Sequence, residues 1–216
     1  MNLDRDRPAV EVLGDRAVIV TCAGTVDRMH VAAGLRASLP GMLVRSGMST
    51  VLVEQPEPDA NLLLMVSEAV ATLADASIDV VDHRPDIVIP VRYDGQDLAD
   101  VARLLGLSVD DVVAAHLAQT WRVAMMGFAP GFGYLMPDDA PQARWTEVSR
   151  RTTPRVMVPA GSVAVAAGMS AVYPAAMPGG WHLIGTTQQH LFDPEGPDHP
   201  ALLDEGAVVR FIQGSS

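Results

Sequence analysis

The sequence predicts two domains of different class, an α+β domain over residues 1–84 and a mainly-β domain over residues 85–216. In the first part, β-like runs alternate with segments whose apolar residues recur at helical spacing. From Trp121 onwards, the chain consists of short apolar runs divided by glycine and proline, which is typical of a barrel or a sandwich. Between the two parts, the polar, proline-containing segment His83-Arg84-Pro85-Asp86 is the predicted linker.

The α+β domain is expected to open with two strands, residues 9–13 and 16–22, joined by a hairpin turn at Gly14-Asp15. A helix is predicted to start with Thr25 as its N-cap and to stop before Pro40-Gly41. The remaining predicted elements are a strand at residues 51–53, a helix at residues 59–73 and a strand at residues 78–81.

The second domain is expected to begin with a strand at residues 87–93, followed by helices at residues 97–105 and 108–117. Ser108 with Asp111 three residues later forms an acidic variant of the capping box, which marks the start of the second helix. The later strand candidates are residues 156–158, 163–167, 182–185 and 208–212.

Composition excludes several classes of function. A formal charge of −11 argues against a nucleic-acid-binding surface, which needs a basic face. No apolar run is long enough to span a membrane, and the charged N-terminus lacks a following apolar run, so a cytoplasmic location is expected. The single cysteine, Cys22, excludes an intrachain disulfide and is interpreted as a buried structural thiol.

All fifteen basic residues are arginine, so the chain has no lysine. This excludes a lysine Schiff base and a Walker-type lysine that binds phosphate. Any phosphate or carboxylate must therefore be bound by arginine, histidine or backbone N–H groups. No metal site is predicted, because His182, His190 and His199 fit no ligand spacing.

The richest segment for function is residues 127–135, in which glycines stand between bulky aromatic side chains. Gly127 and Gly131 are predicted to occupy positions that reject a Cβ atom. The aromatic residues are expected either to line a pocket for a small planar ring or to belong to the core or a subunit interface. The candidate binding residues of this segment are Gly127, Phe128, Pro130, Gly131, Phe132 and Tyr134.

Two further Pro/Gly clusters follow, and their loops are expected to converge on one site with the first. In the turn Pro159-Ala160-Gly161-Ser162, backbone N–H groups could bind an oxyanion, or the segment could be a plain tight turn. Ser162 is not a nucleophile elbow, because the G-x-S-x-G frame is absent. In the other cluster, Gly179, Gly180 and Trp181 are the candidate binding residues.

Arg150, Arg151 and Arg155 form the dense basic cluster of this acidic chain, and guanidinium groups suit carboxylate or phosphate. The alternative is a solvated face or contacts with a partner. His116, at the end of a predicted helix, is a candidate acid/base or phosphate-binding group. Its alternative role is to complement the partial charge of the helix C-terminus.

The order of these motifs resembles that of the family of the B subunit of 5-oxoprolinase. The motifs are His116, GFAPGFGYL, Arg150-Arg151, Pro154-Arg155, VPAGSV, PGGW, Ile184-Gly185 and Leu191-Phe192-Asp193. This family is also called allophanate hydrolase subunit 1 or the sporulation-kinase inhibitor family. The resemblance covers almost the whole chain. It implies a ferredoxin-like N-terminal domain and a cyclophilin-like barrel, with His116 and Arg155 as the catalytic candidates.

The resemblance also implies one component of an ATP-dependent cyclic amide hydrolase that opens 5-oxoproline to glutamate. Such a component works with the related, larger C subunit of 5-oxoprolinase (allophanate hydrolase subunit 2) and with the third, A subunit, and is expected to be inactive alone. ATP with Mg²⁺ is expected at the level of the complex. The alternatives are an allophanate hydrolase or urea-carboxylase-associated subunit and, in another class, a protein inhibitor of a sensor histidine kinase.

Overall fold

In the computed structural model, the described residues are 8–74, 86–138, 143–196 and 199–214. The chain divides into two compact units, Met1–Asp82 and His83–Ser216. The predicted strand at residues 78–81 and all of the predicted linker except Asp86 lie outside the described residues. The boundary between residues 84 and 85 therefore stays a prediction.

The first unit contains four strands and two helices among its described residues. They are β1 (Ala9–Leu13), β2 (Ala17–Thr21), α1 (Thr25–Ser38), β3 (Leu43–Ser46), β4 (Thr50–Glu54) and α2 (Leu62–Ala74). The strands form one antiparallel sheet in the order β1-β2-β4-β3. The sequence analysis missed β3, and the ferredoxin-like arrangement is not confirmed.

The core of this unit follows from the alternation of its strands. Val18 and Val20 on β2 and Val51 and Val53 on β4 are buried, while the residues between them remain partly exposed. The buried faces of the two helices contribute to the same apolar cluster. The prediction of Thr25 as N-cap is wrong, because the residue before it, a glycine, holds that position and Thr25 already lies inside the helix.

The second unit contains nine strands and three helices among its described residues. It begins with β5 (Ile87–Val91), α3 (Leu98–Leu105), α4 (Val109–Ala118), β6 (Thr120–Met126), β7 (Gly133–Pro137) and α5 (Ala143–Thr146). It continues with β8 (Arg155–Val158), β9 (Ser162–Ala166), β10 (Met169–Val172), β11 (Met177–Gly179), β12 (His182–Thr186) and β13 (Val208–Gln213). The predicted Ser108 cap is confirmed, since its hydroxyl accepts a hydrogen bond from the Asp111 N–H at 3.1 Å.

Seven strands of this unit form a sheet in the order β12-β9-β10-β7-β6-β13-β5. The two edge strands then meet, because Arg92 and Thr186 exchange two backbone hydrogen bonds of 2.8 Å. The sheet is therefore a nearly closed barrel, which agrees with the barrel that the family resemblance implied, whereas the apolar runs alone left a sandwich open. β8 and β11 form a separate two-stranded antiparallel sheet.

The barrel encloses the larger core, in which Trp121, Leu135, Ile184 and Phe211 are buried. The segments that carry the Pro/Gly motifs connect these strands, so the barrel determines where the motifs lie. Among the described residues, no helix is long and apolar enough to cross a membrane.

Candidate functional site

A cleft of about 270 Å³ lies where the glycine motif meets the segments before β8 and after β10. It is lined by Phe128, Phe132, Tyr134, Arg150, Arg151, Pro154, Tyr173, Pro178, Gly179, Gly180 and Trp181. We call it the aromatic cleft. It brings together residues that the sequence analysis selected from three separate motifs.

The floor of the aromatic cleft is a set of aromatic rings packed edge to face around Phe132. The Phe132 ring centroid lies 5.0 Å from that of Tyr134, 5.4 Å from that of Tyr173 and 6.2 Å from that of Trp181. Phe132, Tyr173 and Trp181 are almost fully buried. These rings form a buried cleft wall, but they lie outside the main apolar cluster of the barrel.

Phe128 has a different environment. It is 63% exposed and has a backbone φ of +73°, which is unusual for a bulky residue. Hydrogen bonds from Gly127 N to Phe132 O and from Phe132 N to Ala129 O hold this loop. The loop thus keeps an exposed aromatic ring at the mouth of the cleft, 5.3 Å from the Phe132 ring.

The two glycines of the motif differ from each other. Gly131 has φ +77°, and a Cβ built there would lie 2.7 Å from Phe192 Cβ and 2.9 Å from Leu191 O. The prediction for Gly131 is confirmed. Gly127 has no positive φ, and its Cβ would meet only Met125 Cε at 3.9 Å, so the chain itself does not exclude a side chain there.

Gly179 is required by the cleft wall. A Cβ on Gly179 would lie 2.1 Å from the Tyr173 hydroxyl oxygen, so only glycine lets that phenol pack against the β11 backbone. Gly180 is less restricted, with Pro154 at 3.6 Å. The Gly180 carbonyl accepts a hydrogen bond of 2.8 Å from Arg151 N, which joins the two sides of the cleft.

Asp97 holds two of the three arginines, and the sequence analysis did not select it. Its Oδ1 accepts hydrogen bonds from Arg151 Nη1 at 2.9 Å and from Arg155 Nη2 at 2.7 Å. Its Oδ2 accepts from Leu183 N at 2.7 Å, and the side chain is only 4% exposed. A lone aspartate before a helix carries no sequence signal for this role, because its partners lie more than 50 residues away.

The charge state of Asp97 follows from these contacts. Burial by itself raises the pKa of Asp97. The hydrogen bonds from Arg155 and Leu183 and the charges of the two guanidinium groups outweigh burial, so the pKa lies below its ordinary value. Asp97 is therefore an anion that commits Arg151 and Arg155 to an internal ion-pair network.

Arg150 is the arginine of this cluster that remains available to a ligand. It is exposed, and it makes no hydrogen bond or ion pair with the residues that the structure describes. Burial raises the pKa values of Tyr134 and Tyr173, and the Arg150 charge opposes both shifts, so the guanidinium lies near both phenols. The cleft thus presents one uncommitted cation and the neutral hydroxyl of Tyr134, while the Tyr173 hydroxyl packs against Gly179.

His116 lies in the barrel core and does not line the aromatic cleft. It is fully buried, with ring centroids of Phe211 at 4.5 Å and Trp121 at 5.1 Å. Burial lowers its pKa from the ordinary 6.5 to about 3, so the ring is neutral at pH 7. A neutral ring does not complement the charge at a helix C-terminus. The catalytic role of His116 stays a prediction.

The polar partners of His116 define one orientation of its hydrogen bonds. Ser170 Oγ donates to Ala164 O at 3.3 Å and therefore accepts from His116 Nε2 at 3.0 Å. His116 Nδ1 then accepts from the Tyr93 hydroxyl at 2.8 Å. Every member of this buried chain is satisfied, which is what a structural histidine requires.

The turn Pro159-Ala160-Gly161-Ser162 leads from β8 into β9 and is not among the residues that line the aromatic cleft, although it bonds to the backbone of Tyr173, which is. Gly161 N donates to Tyr173 O at 2.8 Å, and Ser162 N donates to Pro159 O at 3.3 Å. Both N–H groups proposed for an oxyanion are thus used inside the chain, which favours the tight-turn interpretation. Pro130 is exposed and is not among the residues that line the cleft.

A second cleft, of about 530 Å³, lies beside the point where the barrel closes. It is lined by Pro90, Arg92, Thr186, Thr187, Gln188, Gln189, His190 and Gly214. Arg92 is already paired with Asp94 there. This cleft has no phenylalanine, tyrosine or tryptophan among its described lining residues, so it lacks the surface that a small planar ring needs.

Comparison with known proteins supports the resemblance seen in the motifs. Residues 8–203 match the family described as carboxyltransferase domain, subdomain C and D. The chain belongs to this family. It is 40% identical over 178 residues to the B subunit of 5-oxoprolinase from Escherichia coli O157:H7, a match that covers 81% of this chain and 76% of the relative. It is 38% identical over 144 residues to the protein of the same name from Bacillus subtilis, covering 65% of this chain and 58% of the relative.

Solved structures of other proteins have the same fold. TTHA0988 superposes with a TM-score of 0.73 at 32% identity, covering 93% of this chain. This chain spans 41% of TTHA0988, so more than half of that protein lies outside the match. The Kluyveromyces lactis urea amidolyase gives a TM-score of 0.67 over 98% of this chain and 15% of its own. Its identity of 17% shows a shared fold alone.

Proposed function

We propose that this chain is a component of an ATP-dependent 5-oxoprolinase that opens 5-oxoproline to glutamate together with the larger C subunit and the third, A subunit. The observation that carries the proposal is the aromatic cleft with the uncommitted guanidinium of Arg150 beside it. Two relatives at 38% and 40% identity are named as B subunits of 5-oxoprolinase, which supports the assignment to a multi-subunit hydrolase.

The chemistry of the cleft fits this substrate class. 5-Oxoproline is a five-membered lactam ring with one carboxylate. Aromatic walls offer faces to such a ring, and a guanidinium fork suits the carboxylate. The hydroxyl of Tyr134 can donate a hydrogen bond to the lactam oxygen, because a phenol is protonated at neutral pH and burial raises the pKa of Tyr134 further.

The role of ATP belongs to the complex in this proposal. A lactam amide is a poor electrophile, and phosphorylation of its oxygen would create a leaving group. Among the described residues, no group of three or more His, Cys, Asp or Glu side chains could hold a metal ion. The whole chain also lacks lysine. In this proposal the chain binds the lactam, and ATP with Mg²⁺ acts at the level of the complex.

The proposal is tested by producing the chain with its A and C subunits and measuring ATP hydrolysis and glutamate formation. We expect both to depend on 5-oxoproline and on the presence of this chain. The proposal fails if the assembled complex hydrolyses ATP equally with and without 5-oxoproline.

The same preparation distinguishes the alternatives. Activity on allophanate and none on 5-oxoproline would indicate the allophanate hydrolase function. Inhibition of autophosphorylation of a sensor histidine kinase, without either hydrolase activity, would indicate the inhibitor function. The lactam is favoured because the names of the relatives agree with a cleft that suits a ring.

A further inference from the structure

The two-stranded sheet β8–β11 carries an apolar surface that no described part of the chain covers. Val156 is 87% exposed and Met157 is 68% exposed, the highest values among the exposed large apolar residues of the described chain. Pro178 lies on the opposite strand, because Met177 pairs with Val158 and Gly179 with Arg155. Pro154 is also exposed. Val156 and Met157 are consecutive on β8, so their side chains point to opposite faces of the two-stranded sheet, and both faces are exposed. We call Pro154, Val156, Met157 and Pro178 the apolar strip.

The apolar strip meets the rim of the aromatic cleft at Pro154 and Pro178. Pro154 and Pro178 line both, and the exposed Phe128 ring lies at the mouth of the same cleft. Large exposed apolar side chains concentrated on one two-stranded sheet of a globular protein mark an interaction site. The strip therefore adjoins the ligand site and does not form an isolated patch.

The charge around the strip is unusual for this chain. Between Glu147 and Asp193 the sequence has no aspartate or glutamate but contains three arginines, although the chain as a whole carries −11. Asp97 neutralises part of that positive charge by pairing with Arg151 and Arg155. The third arginine of the cluster, Arg150, has no carboxylate partner among the described residues and leaves a positive charge beside the strip. This surface suits a protein partner that contributes apolar and acidic side chains; a nucleic acid is anionic but offers no apolar side chains.

The backbone points to a protein as the occupant. Within the described residues, β8 pairs only with β11, so each strand has an edge without a neighbouring strand. Unpaired edges accept an extended segment of another polypeptide. The related protein TTHA0988 contains the fold of this chain within 41% of its length, so a further polypeptide accompanies this fold there.

We propose that the apolar strip is the docking surface for a separate polypeptide of the kind that forms the remaining part of TTHA0988. This partner contributes apolar and acidic side chains and covers the rim of the aromatic cleft. The inference rests on the proposed function, because it assumes that the chain is one subunit of a multi-subunit enzyme. It adds the surface through which the chain is joined to that enzyme and the chemistry of the surface that meets it.

The test uses the double variant Val156→Asp/Met157→Asp and its affinity for the purified larger subunit. Both side chains are exposed, so the variant is expected to keep the wild-type melting temperature. Loss of an apolar contact centre and introduction of charges that repel an acidic partner should weaken binding by roughly 30-fold or more. The matched control is Leu104→Asp/Val109→Asp, which changes two less exposed apolar residues of the same unit away from the strip.

Each outcome has one meaning. Binding of the larger subunit within about threefold of wild type by a folded Val156→Asp/Met157→Asp variant overturns the docking surface but leaves the proposed function intact. Self-association of the wild-type chain that the same variant abolishes assigns the strip to a second copy and overturns the partner. Failure of the wild-type chain to bind the larger subunit overturns this inference together with the proposed place of the chain in the enzyme.

Discussion

Arg150 is available to bind an anion. Asp97 forms ion pairs with Arg151 and Arg155 but not with Arg150. We expect Arg150→Ala to lower kcat/KM for 5-oxoproline in the complex by roughly 10- to 100-fold, equivalent to about 1.5–3 kcal/mol for one charged hydrogen bond. Arg150→Lys should recover part of the loss, since a point charge replaces a fork incompletely.

The control for Arg150 is Arg103→Ala, an exposed arginine on α3 whose partner is Asp100. It should leave both kcat/KM and the melting temperature unchanged. If Arg150→Ala behaves like Arg103→Ala, the ligand anion is bound elsewhere.

Asp97 should contribute far more to stability than its neighbour Asp100. Asp97→Asn keeps the side-chain shape but leaves two largely buried guanidinium groups without a countercharge. We expect it to lower the free energy of unfolding by about 3 kcal/mol. Asp100→Asn, on the exposed face of the helix that follows Asp97, should change the free energy of unfolding by less than about 0.5 kcal/mol. Urea unfolding at pH 7 measures both, and equal effects would refute the buried network.

The sign of the pH dependence at Asp97 follows from its lowered pKa. The stabilising contribution is fully present above the ordinary value of 3.8 and is lost as the pH falls through the lower pKa of the folded state.

His116 should make the protein less stable in mild acid. The unfolded chain binds a proton below the ordinary pKa of 6.5, whereas the buried ring resists protonation until about pH 3. The free energy of unfolding should therefore fall by about 1.4 kcal/mol per pH unit below the ordinary pKa from this group. Urea titrations between neutral and mildly acidic pH measure this slope. His116→Gln should flatten it, and an unchanged slope in that variant would show that other groups cause it.

At the scale of elements, the loop between β6 and β7 has one glycine that the fold requires and one that it does not. Gly131→Ala combines an unfavourable φ with contacts below 3 Å to Leu191 and Phe192. It should lower the free energy of unfolding by more than about 1 kcal/mol. Gly127→Ala should stay within about 0.5 kcal/mol of wild type. Comparable losses in the two variants would contradict the geometry of this loop.

The boundaries of the elements show how far local patterns reach. Strands β9, β12 and β13 were predicted closely, since alternating apolar runs between glycines and prolines are a local signal. The strand β3 was missed because its four residues, Leu43–Ser46, include an arginine and a serine and follow a Pro-Gly stop. Such a short polar strand exists only because β4 supplies its hydrogen bonds.

At the scale of the whole molecule, this chain should be inactive without its partners. The aromatic cleft opens beside the uncovered apolar strip. In our proposal this chain therefore forms one wall of the active site, and the partner subunit forms the rest. The purified chain should show no ATP hydrolysis dependent on 5-oxoproline, and adding the other subunits should restore it. Turnover by the chain alone, at the rate of the complex, would contradict this expectation.

The sequence by itself determined the family, through the family the expectation of a barrel in the second domain, and most of the rings around the aromatic cleft. These follow from local motifs, in which each residue is recognised beside its neighbours in the chain. Phe132, Tyr134 and Trp181 could be selected in this way because aromatic residues within Pro/Gly segments are a visible pattern.

Only the tertiary structure decided which of the charged candidates are free. Asp97 and Arg155 are 58 residues apart in the chain, and their ion pair forms because the barrel brings α3, β8 and β12 together. Burial likewise depends on packing from every side, so the neutral state of His116 follows from Trp121, Trp145 and Phe211 around it. Charge state and availability are properties of three-dimensional surroundings, and a linear motif does not contain them.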